Sequence, residues 1–132
     1  MASDHFSCKI GLQTVAEVES ELPISDEHGA DLRFHGVVRK GEDGRTISAI
    51  RYSHYEAMAK PELERIGAAM LEAYPGHRAF VYHRVGEVKI GVASILIRVQ
   101  TAHSAPAYEI SQEYLRRIKT SVPIWKEPLF VD

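Results

Sequence analysis

The chain has 132 residues, a length that fills one domain and buries a core without disulfide or metal support. Hydrophobic residues make up 45% and charged residues 26%, and the formal net charge is -2, which excludes a disordered chain and gives no whole-chain attraction to nucleic acid. The single cysteine, Cys8, excludes an internal disulfide; with no apolar run of membrane-spanning length and none in the leading MASDHFSCK, the expected compartment is the cytoplasm.

Phe6, Cys8, Ile10 and Leu12 alternate with Ser7, Lys9 and Gly11, the period of a half-buried strand that turns Cys8 toward the core as a small hydrophobe. Thr14 is placed to cap a short helix carrying Val15, Val18 and Leu22 and stopped by Pro23. After the loop SDEHGA, Leu32, Phe34 and Val38 share one strand face, Arg33, His35 and Arg39 form a cationic second face, and Gly36 leaves a gap. The β-branched and aromatic run 46–53 predicts a partner strand, and the Asp-Gly step in KGEDGR predicts a hairpin with a mobile tip. Strand-end cations such as Arg39 are commonly just solvated, but the neighbouring flexible loop also suits the grasping of an anion.

Residues 55–74 read as the longest helix, with Leu63, Ile66, Met70 and Ala73 as its apolar stripe and Glu62, Glu64, Arg65 and Glu72 facing away. Pro61 suits a first turn, so the helix proper is expected to start near it. Pro75 and Gly76 end the helix. A strand over 78–84, a short extended piece between Gly86 and Gly91, and a longer strand carrying Ile95, Ile97 and Val99 follow. Ser104 is the expected N-cap of a last helix with Ile110, Tyr114, Leu115 and Ile118, so His103 precedes a helix N-terminus whose free N–H groups can attract an anion.

That helix runs to Lys119 and opens into KTSVPIWKE, where Lys126 sits beside Trp125 in a proline-braced turn. A lysine at a helix end usually serves the helix dipole. Two ammonium groups held close are a different matter, because each favours loss of the other's proton and a lysine so poised can act as base or nucleophile. The element order indicates one α+β domain over 1–132, largely antiparallel, with its helices on one side of the sheet.

A phosphate-binding glycine loop, paired cysteines, HExxH and GxSxG are all missing, so zinc chemistry and nucleotide hydrolysis are poorly supported. His83, on an alternating strand, reads as a hydrogen-bonded structural histidine. The remaining polar set, Arg39, His103, Lys119 and Lys126, suits a small anionic and phosphorylated molecule.

The segments FHGVVR (34–39), HYEAMA (54–59), HRVG (83–86), AH (102–103) and KTSVPIWKE (119–127) resemble the large subunit of molybdopterin synthase, in order, from about residue 5 to 127. The resemblance implies an α/β hammerhead-like fold with a small extra β subdomain. It implies a homodimer and a small ubiquitin-like sulfur-carrier subunit whose C-terminal Gly-Gly thiocarboxylate enters the large subunit's pocket. The implied reaction converts cyclic pyranopterin monophosphate to the dithiolene of molybdopterin, with no cofactor beyond substrate and partner sulfur. By the same resemblance Lys119 and Lys126 are catalytic, and Phe34, Arg39, His103 and the Ser104 position bind substrate. Two departures stand out: Ser104 occupies a position usually held by arginine, and Val92 one often acidic. Many members also carry a basic tail residue beyond the point where this sequence ends. A weaker or rebuilt anion site is therefore expected, with Lys40, Arg45 or Arg116 as substitutes. The competing readings are a non-catalytic dimeric adaptor for a ubiquitin-like tail and, further off, a small-anion or RNA-binding domain.

Overall fold

The computed structural model describes residues 5–131. In chain order the elements are β1 (Phe6–Gly11), α1 (Val15–Ser20), β2 (Ala30–Val37), β3 (Gly41–Glu42), β4 (Arg45–His54), α2 (Glu56–Ala73), β5 (Arg78–Arg84), β6 (Gly86–Lys89), β7 (Ala93–Thr101), α3 (Ser104–Ser121) and β8 (Ile124–Phe130). Two sheets result. The first runs β1-β5-β7-β2, with β1 parallel to β5 and the other pairs antiparallel; the second is built on β4, which pairs with β3, β6 and β8.

Alternation along β7 organises the first sheet. Ile95, Ile97 and Val99 enter a core with Leu63, Ile66 and Met70 of α2 and Ile110, Tyr114 and Ile118 of α3, so both long helices lie on one face. The expectation that all helices share that side is corrected for α1: its Val15 and Val18 pack on Tyr82 and Leu96, which point from the opposite face. Thr14 caps α1 as expected, its hydroxyl accepting from the Glu17 N–H. The opposite face is also less cationic than the sequence suggested. Arg33 pairs with Asp31 and Glu19 at 3.1 and 3.3 Å, and His35 meets Glu19 at 3.0 Å.

Three boundaries differ from the sequence reading. Helix α2 starts at Glu56, so Pro61 lies inside it, on an exposed surface where water can take the carbonyl that loses its helical partner. The cap of α3 is His103, with extended backbone, and Ser104 is the first helical residue. After α3 the chain does not turn freely: Pro123 O accepts from Tyr55 N, and Ile124–Phe130 joins the second sheet beside β4. The β3–β4 turn is tight, with Asp43 and Gly44 both at positive φ (52° and 74°), the geometry that the Asp-Gly step favours.

Candidate active site

A cleft of about 450 Å³ opens where α3 ends and the two sheets meet. Its apolar wall comes from Phe34, Ile95, Leu115, Ile118, Val122 and Ile124, and its polar groups from Tyr52, His83, Ser94, Lys119 and Lys126. The backbone of Gly36 and Val37 completes it at a β-bulge in β2. A Cβ on Gly36 would stand 2.6 Å from Ile95 Cγ2, so only glycine lets the bulge and Ile95 approach this closely.

The two lysines arrive by different routes. Lys119 sits in the last turn of α3, one residue past Ile118, which is 5% exposed and anchored in the core. Lys126 is carried by β8, where it pairs with Tyr52 across the ladder. Strand alternation therefore aims Ile124 and Lys126 into the cleft with Tyr52, and sends Trp125 to the other face, 55% exposed. The expected proline-braced turn with Lys126 beside Trp125 is replaced by two neighbours on opposite faces of a strand. Lys126 Nζ lies 3.9 Å from Glu42 of the β3–β4 hairpin, a half-exposed pair of small energetic weight. Lys119 has no ion pair or hydrogen bond among the described residues.

His83 and Tyr52 form the polar floor. Their rings meet edge-on at 5.2 Å. His83 Nδ1 donates to the Arg84 carbonyl at 2.8 Å, which leaves Nε2 as the ring's acceptor. Burial holds its pKa below the ordinary value, with the Arg84 carbonyl opposing and nearby His54 reinforcing. A neutral acceptor beside two ammonium groups is a role that the sequence reading, which took His83 as structural, did not assign. The only sequence signal was the HRVG segment itself.

Of the expected site residues, Phe34, Lys119 and Lys126 line the cleft. Arg39 does not. It lies two residues beyond Val37 on the rim, exposed, with its neighbours pinned by Val38 N to Val92 O and Ile47 N to Lys40 O. His103 and Ser104 are exposed at the far end of α3; 15 residues at a rise of about 1.5 Å each put Ser104 about 22 Å from Lys119. The suggested substitutes are engaged elsewhere: Arg116 with Glu113, and Arg45 over the Phe130 ring at 3.9 Å. Lys40 is exposed and outside the cleft. Cys8 is half-buried against the core, and burial pushes its thiol up to about 11, which fits its reading as an inert hydrophobe.

The cleft combines apolar walls for a flat ring or peptide tail with two cations and a neutral acceptor on one side. Comparison with known proteins points to one family. The family described as "MoaE protein" matches residues 8–121, which includes Lys119 and stops before Lys126. The molybdopterin synthase catalytic subunit of Bacillus subtilis (strain 168) is 39% identical over 106 residues, 80% of this chain and 68% of that protein. The corresponding subunit of Staphylococcus aureus (strain Mu50) is 34% identical over 112 residues, 85% and 76% of the two chains. The crystal structure of molybdopterin synthase from Staphylococcus aureus superposes with a TM-score of 0.84 at 32% identity, covering 93% of this chain and 90% of that one.

Proposed function

The chain belongs to the MoaE family, and from that premise we propose that it is the catalytic subunit of a molybdopterin synthase, with Lys119 and Lys126 at the centre of its chemistry. The observation that carries the site assignment is the convergence of both lysines, from α3 and β8, on one cleft. Cyclic pyranopterin monophosphate is the substrate, and sulfur comes from the C-terminal thiocarboxylate of a small ubiquitin-like subunit. The apolar wall accepts the pterin and the extended tail, and the ammonium groups hold phosphate and thiocarboxylate while charge shifts between them. Lys119, fixed by the helix beneath it, moves a proton as the carbon–sulfur bond forms, and Lys126 holds substrate charge.

One chain does not unite the whole expected set, because His103 and Ser104 lie at the other end of α3. A homodimer resolves this if a second copy brings that helix end to the cleft. The phosphate site is then made of Arg39 and the lysines from one protomer and His103 from its partner. Ser104 supplies a neutral hydroxyl in place of the family's usual guanidinium, the observation that favours the adaptor alternative. One experiment separates the two: mix the protein with thiocarboxylated small subunit and cyclic pyranopterin monophosphate, and follow dithiolene product. Product at many turnovers per site supports the enzyme; a stable complex that makes none supports the adaptor.

A further inference from the structure

On the face of the first sheet turned away from α2 and α3, Arg98 and Gln100 of β7 meet Ser7 of β1, Arg78 of β5 and Ser25 of the α1–β2 loop in a second cleft of about 180 Å³. The register places Arg78 directly opposite Gln100. Arg98 is 3% exposed and preset: its Nε and Nη2 donate to the two Asp31 oxygens at 2.9 and 2.8 Å. Asp31 also serves Arg33, which in turn pairs with Glu19, so these four charges balance among themselves.

Arg78 stands outside that network. It has no ion pair among the described residues, and its Nε is buried without a hydrogen-bond partner. Gln100 is 5% exposed and lines the same cleft. Buried donors are rarely left unpaired, because desolvation is not recovered until an acceptor arrives. Arg84 Nε is also buried and unpaired, but it lines neither cleft and has no glutamine opposite. One buried guanidinium N–H without a partner, with a glutamine and a second guanidinium lining the same small cavity, describes what the cavity lacks: a compact acceptor carrying negative charge.

We propose that this cleft is a second anion site, in which a small oxyanion, the phosphate or carboxylate group of a small molecule, sits between the Arg78 guanidinium and the Gln100 amide with Arg98 as its charged wall. The guanidinium fork presents parallel N–H groups to two oxygens, and Gln100 turns its NH2 to a third. At less than half the volume of the catalytic cleft, the cavity admits such a group but not a pterin. It lies across the sheet from that cleft and loads independently of it.

The test uses the folded full-length protein and heteronuclear NMR of arginine Nε–H and glutamine NH2 signals, titrated separately with inorganic phosphate and with acetate. Saturable shifts of the Arg78 Nε–H and Gln100 NH2 signals are expected. The stronger of the two titrants identifies the phosphate or the carboxylate as the preferred group. Arg78→Gln should weaken binding by about tenfold or more, Arg78→Lys by less, and Lys119→Ala should leave it unchanged. Should Arg78→Gln fail to fold, Gln100→Leu in the wild-type background must still weaken binding. Shifts that do not saturate with either anion, that survive both Arg78 variants unchanged, or that vanish with Lys119→Ala overturn the proposal.

Discussion

Lys126 shows how one residue's role follows from its element. Read as part of a turn it was free to approach Lys119 from any direction; on β8 it is fixed opposite Tyr52, half-exposed and near Glu42. A group held that loosely serves charge better than proton transfer, so Lys126→Ala should raise KM for substrate more than it lowers kcat, measured by titrating substrate at saturating small subunit. Equal loss in kcat would give Lys126 the proton-transfer role as well. Ser104 gives a sharper case. As the first residue of α3, exposed and not the cap, it can be replaced without loss of a capping bond. Ser104→Arg is expected to tighten apparent substrate affinity about tenfold, or about 1.4 kcal/mol, with an unchanged melting temperature. Unchanged affinity in that variant would show that another cation already fills the site. At this scale the patterned helix end placed Lys119 and the alternating strand placed Phe34, whereas Lys126 was legible only through the PIWKE segment. His83 was not, because a histidine on an alternating strand carries no signal for which sheet end or cavity it reaches.

Among the elements, α2 against β1 is the tightest approach. Gly67 faces Phe6 so closely that a methyl group there would overlap the ring. Gly67→Ala would gain about 1 kcal/mol of helix propensity. It would lose about 1–3 kcal/mol to overpacking, because Phe6 is buried and has nowhere to go. The expected net is destabilisation of about 1 kcal/mol and a melting temperature lower by about 3 °C; a rise in melting temperature would show that the sheet can shift to absorb the methyl. Most elements were readable from period and punctuation: the strand-helix opening, the Asp-Gly hairpin, the strand over 78–84 and the last helix. The strand β8 was not. PIWKEPLF has two prolines and two charges and no clean alternation, and its pairing with β4 is a contact between residues 70 to 83 positions apart that no local pattern records. The position of α1 escaped for the same reason, since an amphipathic stripe says that a helix is buried on one side but not against which face of the sheet.

Across the whole molecule, stability should depend on pH in two separate windows. His77 and His83 both have pKa values held below the ordinary 6.5 by burial. In His77 the Nδ1–H donates to the Tyr74 carbonyl, which opposes the shift without overcoming burial, and Nε2 is bonded to the Tyr114 hydroxyl. For a base whose folded pKa is depressed, the unfolded chain binds the proton first, so stability is full above about 6.5 and falls as pH drops below it. The carboxyls of Asp31, Glu62 and Glu113, each lowered to about 2 chiefly by arginine hydrogen bonds, act in a lower window. Their stabilisation is present above the ordinary carboxyl range and is lost only as pH falls toward about 2. Melting temperature should therefore begin to decline as pH falls below about 6.5, and a further decline should set in below about 4. Replacing His77 by Gln should shrink the first step and leave the second; a first step unaltered in that variant would remove His77 from the explanation.

The same whole-molecule view sets the catalytic claim, since the two sheets, the end of α3 and the edge strand β8 all converge on one cleft beside Lys119. The most direct test is a single-turnover measurement of dithiolene formation in the assembled complex with thiocarboxylated small subunit, comparing the wild-type protein with Lys119→Ala. The prediction is a rate lower by about a hundredfold or more in the variant, with the same melting temperature and the same affinity for the small subunit. A Lys119→Ala complex that forms product at a near-normal rate would contradict the assignment of this cleft's chemistry to Lys119.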